Sequence, residues 1–301
     1  MVENKIVEKP EWLKKRVILN NSNINDVKNI LVELNLHTVC QSAKCPNIYE
    51  CFSKKTATFM LMGNICTRNC AFCGVEKGIP SAIDNNEPEN VARASLNMML
   101  DYIVLTSVTR DDVQDGGAKH FGRAVSEIKK LLPESKVECL IPDFAGNVKN
   151  LETLLNSNPD VLNHNIETIE RNYSIIRNKA DYKRSINVLK NSKKIKKDII
   201  TKSGFMLGLG ENKEETVKLL YDLHEADCDI VTIGQYLSPG SKNFPVYKYY
   251  SPEEFEEIKK EAEKFDFKYV VSGVFVRSSY NAAYAYNKVK KQVKNTQGFC
   301  K

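Results

Sequence analysis

The sequence predicts an α/β fold: a partial (β/α)6 TIM-type barrel with an N-terminal cysteine-bearing extension and a C-terminal tail. From Thr56 onward, short β-rich apolar runs alternate six times with longer segments of helical periodicity. Such alternation is typical of a parallel sheet covered by helices. Six units are too few to close an eight-stranded barrel. An open partial barrel is therefore the first interpretation, and a doubly wound sheet is the second.

The predicted strands and helices follow one another in a regular order. The strands are Thr56–Met62, Tyr102–Leu105, Val137–Ile141, Val161–Leu162, Gly204–Leu209 and Ile230–Ile233. The helices between them are Glu87–Leu100, His120–Leu132, Val148–Leu155, Asp181–Leu189 and Lys213–His224. Pro88 lies in a first helical turn and Pro133 follows a last one, which are positions that favour proline. In either type of sheet, the active site should lie at the carboxyl ends of the strands.

Two further helices flank these units. Asn23–Leu36 places apolar residues at helical spacing and is predicted to be a short amphipathic helix. Ser251-Pro252-Glu253-Glu254 starts another, with serine as N-cap, proline first and glutamate third. That helix leads to a last apolar run, Tyr269–Ser272. The chain is divided accordingly into an extension (1–55), the barrel (56–275) and a tail (276–301).

Composition and charge narrow the class of protein. Hydrophobic residues make up 42% and charged residues 27% of the 301, as in a soluble globular chain. No apolar run approaches the roughly 20 residues that span a bilayer, and residues 1–16 lack the apolar core of a signal peptide. The net charge, 44 − 38 = +6, is too small for a dedicated nucleic-acid binder but suits an anionic cofactor or an acidic partner. The lysine run 193–197 is predicted to be a solvated face or loop. We expect a cytoplasmic monomer that binds neither membrane nor nucleic acid.

The nine cysteines carry most of the functional information. Six of them fall between Cys40 and Cys73. Clustered cysteines in a chain without a secretory signal are metal ligands or catalytic groups more often than disulfide partners. The remaining three, Cys139, Cys228 and Cys300, lack cluster spacing. Cys139 and Cys228 lie in or beside predicted strands and are expected to be small core residues.

The first cysteine group, Cys66, Cys70 and Cys73, follows directly on the first predicted strand. Three thiolates on one short loop can hold three irons of a cubane cluster and leave the fourth iron open. The spacing C-x3-C-x2-C, with Phe72 before the last cysteine, resembles the signature of the radical S-adenosylmethionine superfamily. In that superfamily the cofactor binds the open iron, and one electron cleaves its sulfonium to give a 5′-deoxyadenosyl radical. The alternative is a zinc site, which would usually pair two distant C-x2-C motifs.

The second group is Cys40-x4-Cys45-x5-Cys51. Again three thiolates share a compact loop. A structural zinc site or a redox triad remains the alternative. Two triads of cubane size in one chain indicate two clusters with different roles.

The order of the two triads, followed by Arg277-Ser278-Ser279-Tyr280 in the tail, resembles the lipoyl synthase family. The resemblance extends from Lys9 to Tyr280. Further matching stretches are 105–112, 115–118, 163–168, 206–211 and 232–237. By this resemblance, Ser279 would ligate the fourth iron of the auxiliary cluster. A serine alkoxide is a weaker ligand than a thiolate for such a site, which suits an iron that must be released.

The resemblance implies an activity and its cofactors. A lipoyl synthase inserts two sulfur atoms at C6 and C8 of a protein-bound octanoyl group. It uses two 4Fe–4S clusters and two molecules of S-adenosylmethionine, with the auxiliary cluster as sulfur donor. The implied partners are octanoylated lipoyl carrier domains or a glycine cleavage H-type protein, together with a flavodoxin- or ferredoxin-type electron donor. Cys66, Cys70, Cys73 and Ser279 would then carry the chemistry.

Five residues, four of them directly after predicted strands, are candidate contacts for S-adenosylmethionine. They are Thr106, Ser107, Asn165, Glu167 and Arg177. Asn165 and Glu167 could bind the ribose or the methionine end, and the planar guanidinium of Arg177 suits the methionine carboxylate. Solvated positions in surface loops are the alternative for all three of these residues.

The departures from the family pattern are local. Asn243 and Asn281 stand where many members have histidine, and Val274 stands where many have proline. The change at Asn243 puts in doubt any role for a histidine in that loop. Two other functions remain open: another sulfur-inserting enzyme of the radical superfamily, and an iron–sulfur or zinc binding module that carries electrons or grips nucleic acid.

Overall fold

The computed structural model describes residues 8–15 and 21–298, and side chains as far as residue 292. In chain order the strands are β1 (Thr58–Leu61), β2 (Ile65–Cys66), β3 (Glu76–Lys77), β4 (Tyr102–Ser107), β5 (Lys136–Leu140), β6 (Val161–Asn163), β7 (Ile200–Leu207), β8 (Ile230–Gln235) and β9 (Tyr269–Gly273). Cys300, residues 1–7 and residue 16 lie outside the described residues, so the predictions made for them are not tested.

Within the described ranges, seven strands form one parallel sheet in the order β1-β4-β5-β6-β7-β8-β9. The order follows the chain and never reverses. It therefore fits an open partial barrel and not a doubly wound sheet, which has a reversal point. The six strand–helix units are confirmed. The last apolar run forms a seventh strand, β9, which pairs with β8 along the open edge.

Eleven α-helices surround the sheet in the described residues. They are α1 (Ser22–Glu33), α2 (Val39–Ser42), α3 (Ile48–Ser53), α4 (Glu87–Asn97), α5 (Ala118–Leu131), α6 (Val148–Leu155), α7 (Tyr173–Ile176), α8 (Tyr182–Ile195), α9 (Lys213–His224), α10 (Pro252–Ala262) and α11 (Ala282–Gly298). The predicted bounds of α6 and α9 agree with the structure to the residue. Ser251 and Glu254 form the predicted capping box of α10. None of these helices combines the length and apolarity needed to cross a membrane in the described part of the chain.

The helices α1 and α11 pack on opposite sides of the sheet. Ile24, Val27 and Leu31 of α1 share one hydrophobic core with outward-facing residues of β1, β4 and α4. At the other end, Ala282, Ala285, Tyr286 and Val289 of α11 pack against Tyr102, Val104, Val161, Ile200 and Ile230. The C-terminal helix therefore closes the amino-terminal mouth of the barrel. The expected core positions of Cys139 and Cys228 are confirmed, since both side chains are buried in the core.

Candidate active site

One cavity of about 570 Å³ opens at the carboxyl ends of the strands. All twelve residues that the sequence singled out line it: Cys40, Cys45, Cys51, Cys66, Cys70, Cys73, Thr106, Ser107, Asn165, Glu167, Arg177 and Ser279. The structure thus brings together side chains that lie up to 239 positions apart in the chain (279 − 40). Their roles as ligands remain predictions.

The loop after β1 carries the C-x3-C-x2-C motif and is held by hydrogen bonds from distant segments. The backbone amide of Thr109 donates to Cys66 Sγ at 3.3 Å. The side-chain amide of Asn243 donates to the carbonyl oxygens of Ala71 and Cys73, at 3.1 and 2.9 Å. Asn243 therefore fixes the backbone of this loop with an amide, so the role of this position requires no titratable side chain.

Arg68, inside the same loop, lies in a buried ionic network. Its guanidinium donates two hydrogen bonds to each of Asp111 and Asp143, at 2.8 to 3.0 Å. Arg184 Nε donates to the same Asp143 carboxylate at 2.9 Å. Burial opposes the charge on Asp143, but the bonds and charge of Arg68, with the charge of Arg184, lower the pKa of Asp143 to about 2. The network ties the loop of Cys66, Cys70 and Cys73 to the segments that follow β4 and β5.

We expect Asp143→Asn to lower the free energy of unfolding of the apoprotein by about 3 kcal/mol at pH 7, because it leaves a buried cation incompletely paired. Since the folded pKa is depressed, the stabilisation by Asp143 is complete above the unfolded value of about 4. It is lost as the pH falls through about 2. The difference between variant and wild type, measured by urea unfolding, should therefore stay constant above about pH 4 and shrink below it.

Glu89→Gln is the matched control, since Glu89 pairs with Arg123 at 3.1 Å with both side chains nearly half exposed. Such a surface pair contributes roughly 0 to 1 kcal/mol. An Asp143→Asn protein as stable as this control at pH 7 would contradict the importance of the network.

The second cysteine triad lies on two short helices and the turn between them. Cys40 is in α2, Cys51 is in α3, and the amide of Cys45 donates to the carbonyl of Cys40 at 3.0 Å. The Thr38 hydroxyl caps α2. Phe52, fully buried directly after Cys51, anchors this segment in the core. Local capping and one aromatic anchor thus give the triad its compact shape.

Glu50 links this triad to the C-terminal tail. Its carboxylate accepts hydrogen bonds from Lys15 Nζ at 2.6 Å and from the Tyr280 hydroxyl at 2.8 Å. The Lys15 hydrogen bond is the main cause that lowers the pKa of Glu50 to about 2. Next to it, the Asn47 side chain donates to the Phe275 carbonyl at 2.8 Å. The segment Phe275–Tyr280 is therefore fastened at both ends, and Ser279 lies between these attachments on the cavity wall.

Several thiols of the two triads lie in buried environments that disfavour a free thiolate. Burial raises the pKa of Cys40 to about 11 and those of Cys51 and Cys73 to about 12, with further contributions from neighbouring cysteines. At neutral pH these groups are protonated unless a bound cation replaces the proton. Buried thiols that lie close to one another in the chain, with raised pKa values, are suitable ligands for a buried iron–sulfur cluster.

Zinc and cubane sites make different geometric demands. In the part of the chain that the structure describes, no group of three or more His, Cys, Asp or Glu side chains could hold a single metal ion. A cubane instead takes each thiolate on a separate iron. The two triads match this second demand in ligand type and number.

Ser107 and Thr106 end β4 at the cavity. Thr106 Oγ1 donates to the Leu140 carbonyl at 3.1 Å, so it joins neighbouring strands. Ser107 Oγ is buried without a hydrogen-bond partner among the described residues. A buried hydroxyl facing a cavity without a partner indicates a place for a polar ligand.

Glu167, Asn165 and Arg177 form a polar wall of the same cavity. Asn165 Nδ2 donates to Glu167 Oε1 at 3.0 Å, and Arg177 Nη1 donates to the Asn165 carbonyl at 3.2 Å. Glu167 has a φ of 68°, which is uncommon for a side chain of its size. Burial raises the pKa of Glu167, and Arg177 opposes that shift. These side chains are half-buried and line the cavity. Their role as cofactor contacts remains a prediction.

Sequence reasoning missed two groups in the cavity. His164 Nδ1 lies 2.9 Å from the Ile141 carbonyl, and its buried Nε2 has no partner among the described residues. Burial lowers the pKa of His164 to about 4, so the ring is neutral at physiological pH. The second group, Arg277, lines the cavity from the tail. Arg177, which was predicted, also has a buried Nε without a hydrogen-bond partner among the described residues. The position of His164 at a strand end was the only sequence signal for it.

The fit of S-adenosylmethionine rests on these unpartnered atoms. Ser107 Oγ, His164 Nε2 and Arg177 Nε all belong to cavity-lining residues. Ser107 Oγ and Arg177 Nε can donate hydrogen bonds. His164 Nε2 can accept one when the imidazole proton is on Nδ1, where it bonds to the Ile141 carbonyl. A zwitterionic methionine moiety and a ribose have matching acceptors and donors. The cavity therefore suits the cofactor that the cysteine motif implies.

Comparison with known proteins gives consistent results. The family model of the Radical SAM superfamily matches residues 60–223. The lipoyl synthase of Caldicellulosiruptor saccharolyticus is 53% identical over 275 residues, 91% of this chain and 96% of its own. The lipoyl synthase of Aquifex aeolicus is 51% identical over 265 residues, 88% of this chain and 96% of its own.

Solved structures support the fold. HydG, a maturase of the FeFe-hydrogenase, superposes with a TM-score of 0.54 at 14% identity, covering 89% of this chain and 73% of its own. Streptococcus suis SuiB bound to S-adenosylmethionine gives a TM-score of 0.54 at 13% identity, covering 73% of this chain and 51% of its own. Together with the arrangement of the two cysteine triads, the extensive identity to curated sequences places this chain in the lipoyl synthase family of the radical S-adenosylmethionine superfamily.

Proposed function

We propose that this protein makes the lipoyl group by inserting two sulfur atoms at C6 and C8 of an octanoyl chain carried on a protein. The observation that supports this proposal is the single cavity lined by both triads, Ser279 and the polar wall around Glu167. Two cluster sites facing one cavity can act on one substrate. A module that only transfers electrons needs no such shared cavity.

Cys66, Cys70 and Cys73 would hold the radical cluster, which when bound supplies the electron that cleaves S-adenosylmethionine into methionine and a 5′-deoxyadenosyl radical. Arg177 would bind the methionine carboxylate, and Glu167 with Asn165 would orient the rest of the cofactor. Arg68 and Asn243 act on the loop itself, since their hydrogen bonds hold its backbone in place. The fixed loop and the polar wall of Glu167, Asn165 and Arg177 would together keep the sulfonium in one orientation.

Cys40, Cys45 and Cys51, with Ser279, would hold the auxiliary cluster, which supplies sulfur when it is bound. Glu50 and Asn47 keep the tail beside this triad through the bonds to Tyr280 and Phe275. Ser279 can therefore stay close to the triad even when its oxygen is not a ligand. Because the tail is attached on both sides, loss of one ligand need not detach it.

The remaining cavity wall suits an acyl chain. Apolar side chains from five segments line it: Val39, Val104, Val108, Leu140, Ile141, Phe205 and Met206. Such a wall favours an eight-carbon chain and excludes water from reactive radicals. The chain would arrive on a lysine of a lipoyl carrier domain or of a glycine cleavage H-type protein. A flavodoxin- or ferredoxin-type protein would supply electrons, and the enzyme would act as a cytoplasmic monomer.

Activity on carrier-bound and free substrates tests the proposed function. With both clusters reconstituted, kcat/KM for an octanoylated carrier domain should exceed that for free octanoate by about two orders of magnitude, equivalent to roughly 2.7 kcal/mol of docking free energy. Lipoyl product is quantified by mass spectrometry under anaerobic conditions. The non-acylated domain is the control and should yield no sulfur-containing product. Equal activity on free octanoate would contradict the carrier-bound substrate, and sulfur insertion only into other acceptors would favour a different enzyme of the superfamily.

A further inference from the structure

A chain of hydrogen bonds, buried at the floor of the barrel and half-buried at the cavity, runs along the inside of the barrel. Asn163 Nδ2 donates to Glu138 Oε1 at 2.8 Å and also to Ser278 Oγ at 3.2 Å. Ser278 Oγ donates to Asn165 Oδ1 at 2.6 Å, and Asn165 Nδ2 donates to Glu167 at 3.0 Å. Ser278 belongs to the tail, whereas the other four residues belong to the barrel. One tail hydroxyl therefore connects the floor of the barrel to the polar wall of the cavity.

The lower end of the chain is rigid. Lys202 Nζ donates to both carboxylate oxygens of Glu138, at 2.9 and 3.1 Å, and the Tyr102 hydroxyl donates to Oε2 at 2.7 Å. Glu138 is fully buried and Lys202 is 1% exposed. Separating such a pair would leave an uncompensated charge in the interior, so the arrangement is strongly held. Asn163 therefore presents its amide to Ser278 from a fixed position.

Two glycines admit the tail to the inner face of the sheet. A Cβ at Gly204 of β7 would lie 3.1 Å from Asn165 Oδ1, 3.3 Å from Ser278 Oγ and 2.5 Å from Thr232 Oγ1. A Cβ at Gly234 of β8 would lie 2.2 Å from the Val276 carbonyl oxygen. Only residues without a side chain allow this approach. The contact of the tail with the barrel interior is therefore built into two adjacent strands.

At the cavity end of the hydrogen-bond chain, the orientation of the Asn165 amide depends on Ser278. The Asn165 amide can donate to Glu167 because its oxygen faces the Ser278 hydroxyl. This orientation is assigned from the hydrogen bonds. Without the hydroxyl, Asn165 Oδ1 would lose its short hydrogen bond to the tail, and the amide could turn away from Glu167. Glu167 would then keep Arg177 as a neighbouring charge but lose a fixed donor.

We infer that Ser278 is a positioning residue that couples the docked tail to the S-adenosylmethionine site. The two adjacent serines would then have different roles: Ser279 would ligate the auxiliary cluster, as proposed above, and Ser278 joins Asn165 and Glu167 to the tail. This inference rests on the proposed function, because it takes Asn165 and Glu167 as cofactor contacts. By linkage, a tail position that favours the hydrogen bond of Ser278 also favours cofactor binding, and cofactor binding favours that tail position to the same extent.

The test is the dissociation constant of S-adenosylmethionine, measured by equilibrium dialysis on protein with both clusters reconstituted. Ser278→Ala should weaken binding about three- to tenfold, the loss expected for one neutral hydrogen bond. Ser272→Ala is the matched control, because the Ser272 hydroxyl also donates one bond, to the Phe255 carbonyl at 2.8 Å, but lies outside the chain. Its dissociation constant should equal that of the wild type.

A double-mutant cycle separates positioning from a general loss of structure. If Ser278 acts through Asn165, Ser278→Ala should weaken binding no further in an Asn165→Ala background. In addition, S-adenosylmethionine should slow amide hydrogen exchange in residues 276–280 of the wild type and have less effect in Ser278→Ala. Wild-type affinity in Ser278→Ala, or additive losses in the double variant, would overturn the inference and leave the proposed function intact. A wild-type protein that does not bind S-adenosylmethionine would overturn both.

Discussion

Alanine at Cys66, Cys70 or Cys73 should reduce the reductive cleavage of S-adenosylmethionine by more than about 100-fold, since even residues that only support a metal ligand typically contribute 10- to 100-fold. Each substitution removes one of three thiolates on a loop that supplies no replacement. Asn243 would still hold the loop backbone, and the Thr109 carbonyl would still accept a hydrogen bond from the Thr67 amide at 3.1 Å, so the loss should come from the missing ligand. The measurement is 5′-deoxyadenosine formed with dithionite under anaerobic conditions.

Iron content separates loss of one cluster from loss of the fold. The wild type should hold roughly eight irons and each variant about four, as expected for two four-iron clusters of which one is lost. Cys139→Ala is the matched control, because Cys139 is fully buried in the core and lies outside both triads. It should keep all the iron and the cleavage activity. Retained 5′-deoxyadenosine formation in any of the three loop variants would contradict the assignment of this triad.

Local signals account for what the sequence predicted well. The helices α6 and α9 begin at asparagine N-caps, Asn147 and Asn212, whose side chains bond to the first turn. Each cysteine triad lies within a short stretch of the chain, so its spacing can be read directly from the sequence. Such features depend on residues within one or two turns of each other, and a single sequence contains them in full.

Features that depend on distant partners were missed. The strand β7 begins at Ile200, four residues before the predicted start. The prediction missed its first part because Thr201, Lys202 and Ser203 are polar. The burial of Lys202 is explained by its pairing with Glu138, 64 positions away. Thr201 and Ser203 also bond to distant residues, to Asp227 and Ile166. Nothing near Lys202 in the chain indicates this partner.

The lysine run 193–197 illustrates the same limit. It was predicted to be solvated, but Lys193 Nζ lies 2.6 Å from the buried Asp229 carboxylate, and its side chain is 11% exposed. No helix was assigned to the C-terminal tail from the sequence, yet α11 closes the floor of the barrel. Its alanines and tyrosines are ordinary helical residues until the open mouth of the barrel is known. Long-range packing, and not local propensity, decides these positions.

The auxiliary triad should be separable from the cleavage of the cofactor. Alanine at Cys40, Cys45 or Cys51 should leave 5′-deoxyadenosine formation in place but lower lipoyl product by at least about 100-fold. Unactivated C–H bonds at C6 and C8 need a radical to remove hydrogen, and the resulting carbon centres then need sulfur. In the proposed function, Cys66, Cys70 and Cys73 all hold iron, so their thiolates would not be free to donate sulfur. Cys45 is the cleanest position, because Cys40 also packs in the hydrophobic core and its loss affects stability.

Isotopic labelling identifies the sulfur source directly. Reconstitution with iron and a heavy sulfur isotope, followed by one turnover on an octanoylated carrier domain with unlabelled sulfide in solution, should give product whose two inserted sulfurs both carry the label. Two C–S bonds form per lipoyl group, so two molecules of S-adenosylmethionine should be consumed for each labelled product. The reverse experiment, with an unlabelled protein in labelled sulfide, is the control and should give unlabelled product. If the first product carries no label, the sulfur comes from outside the protein, and Cys40, Cys45, Cys51 and Ser279 hold a structural or electron-transfer cluster instead.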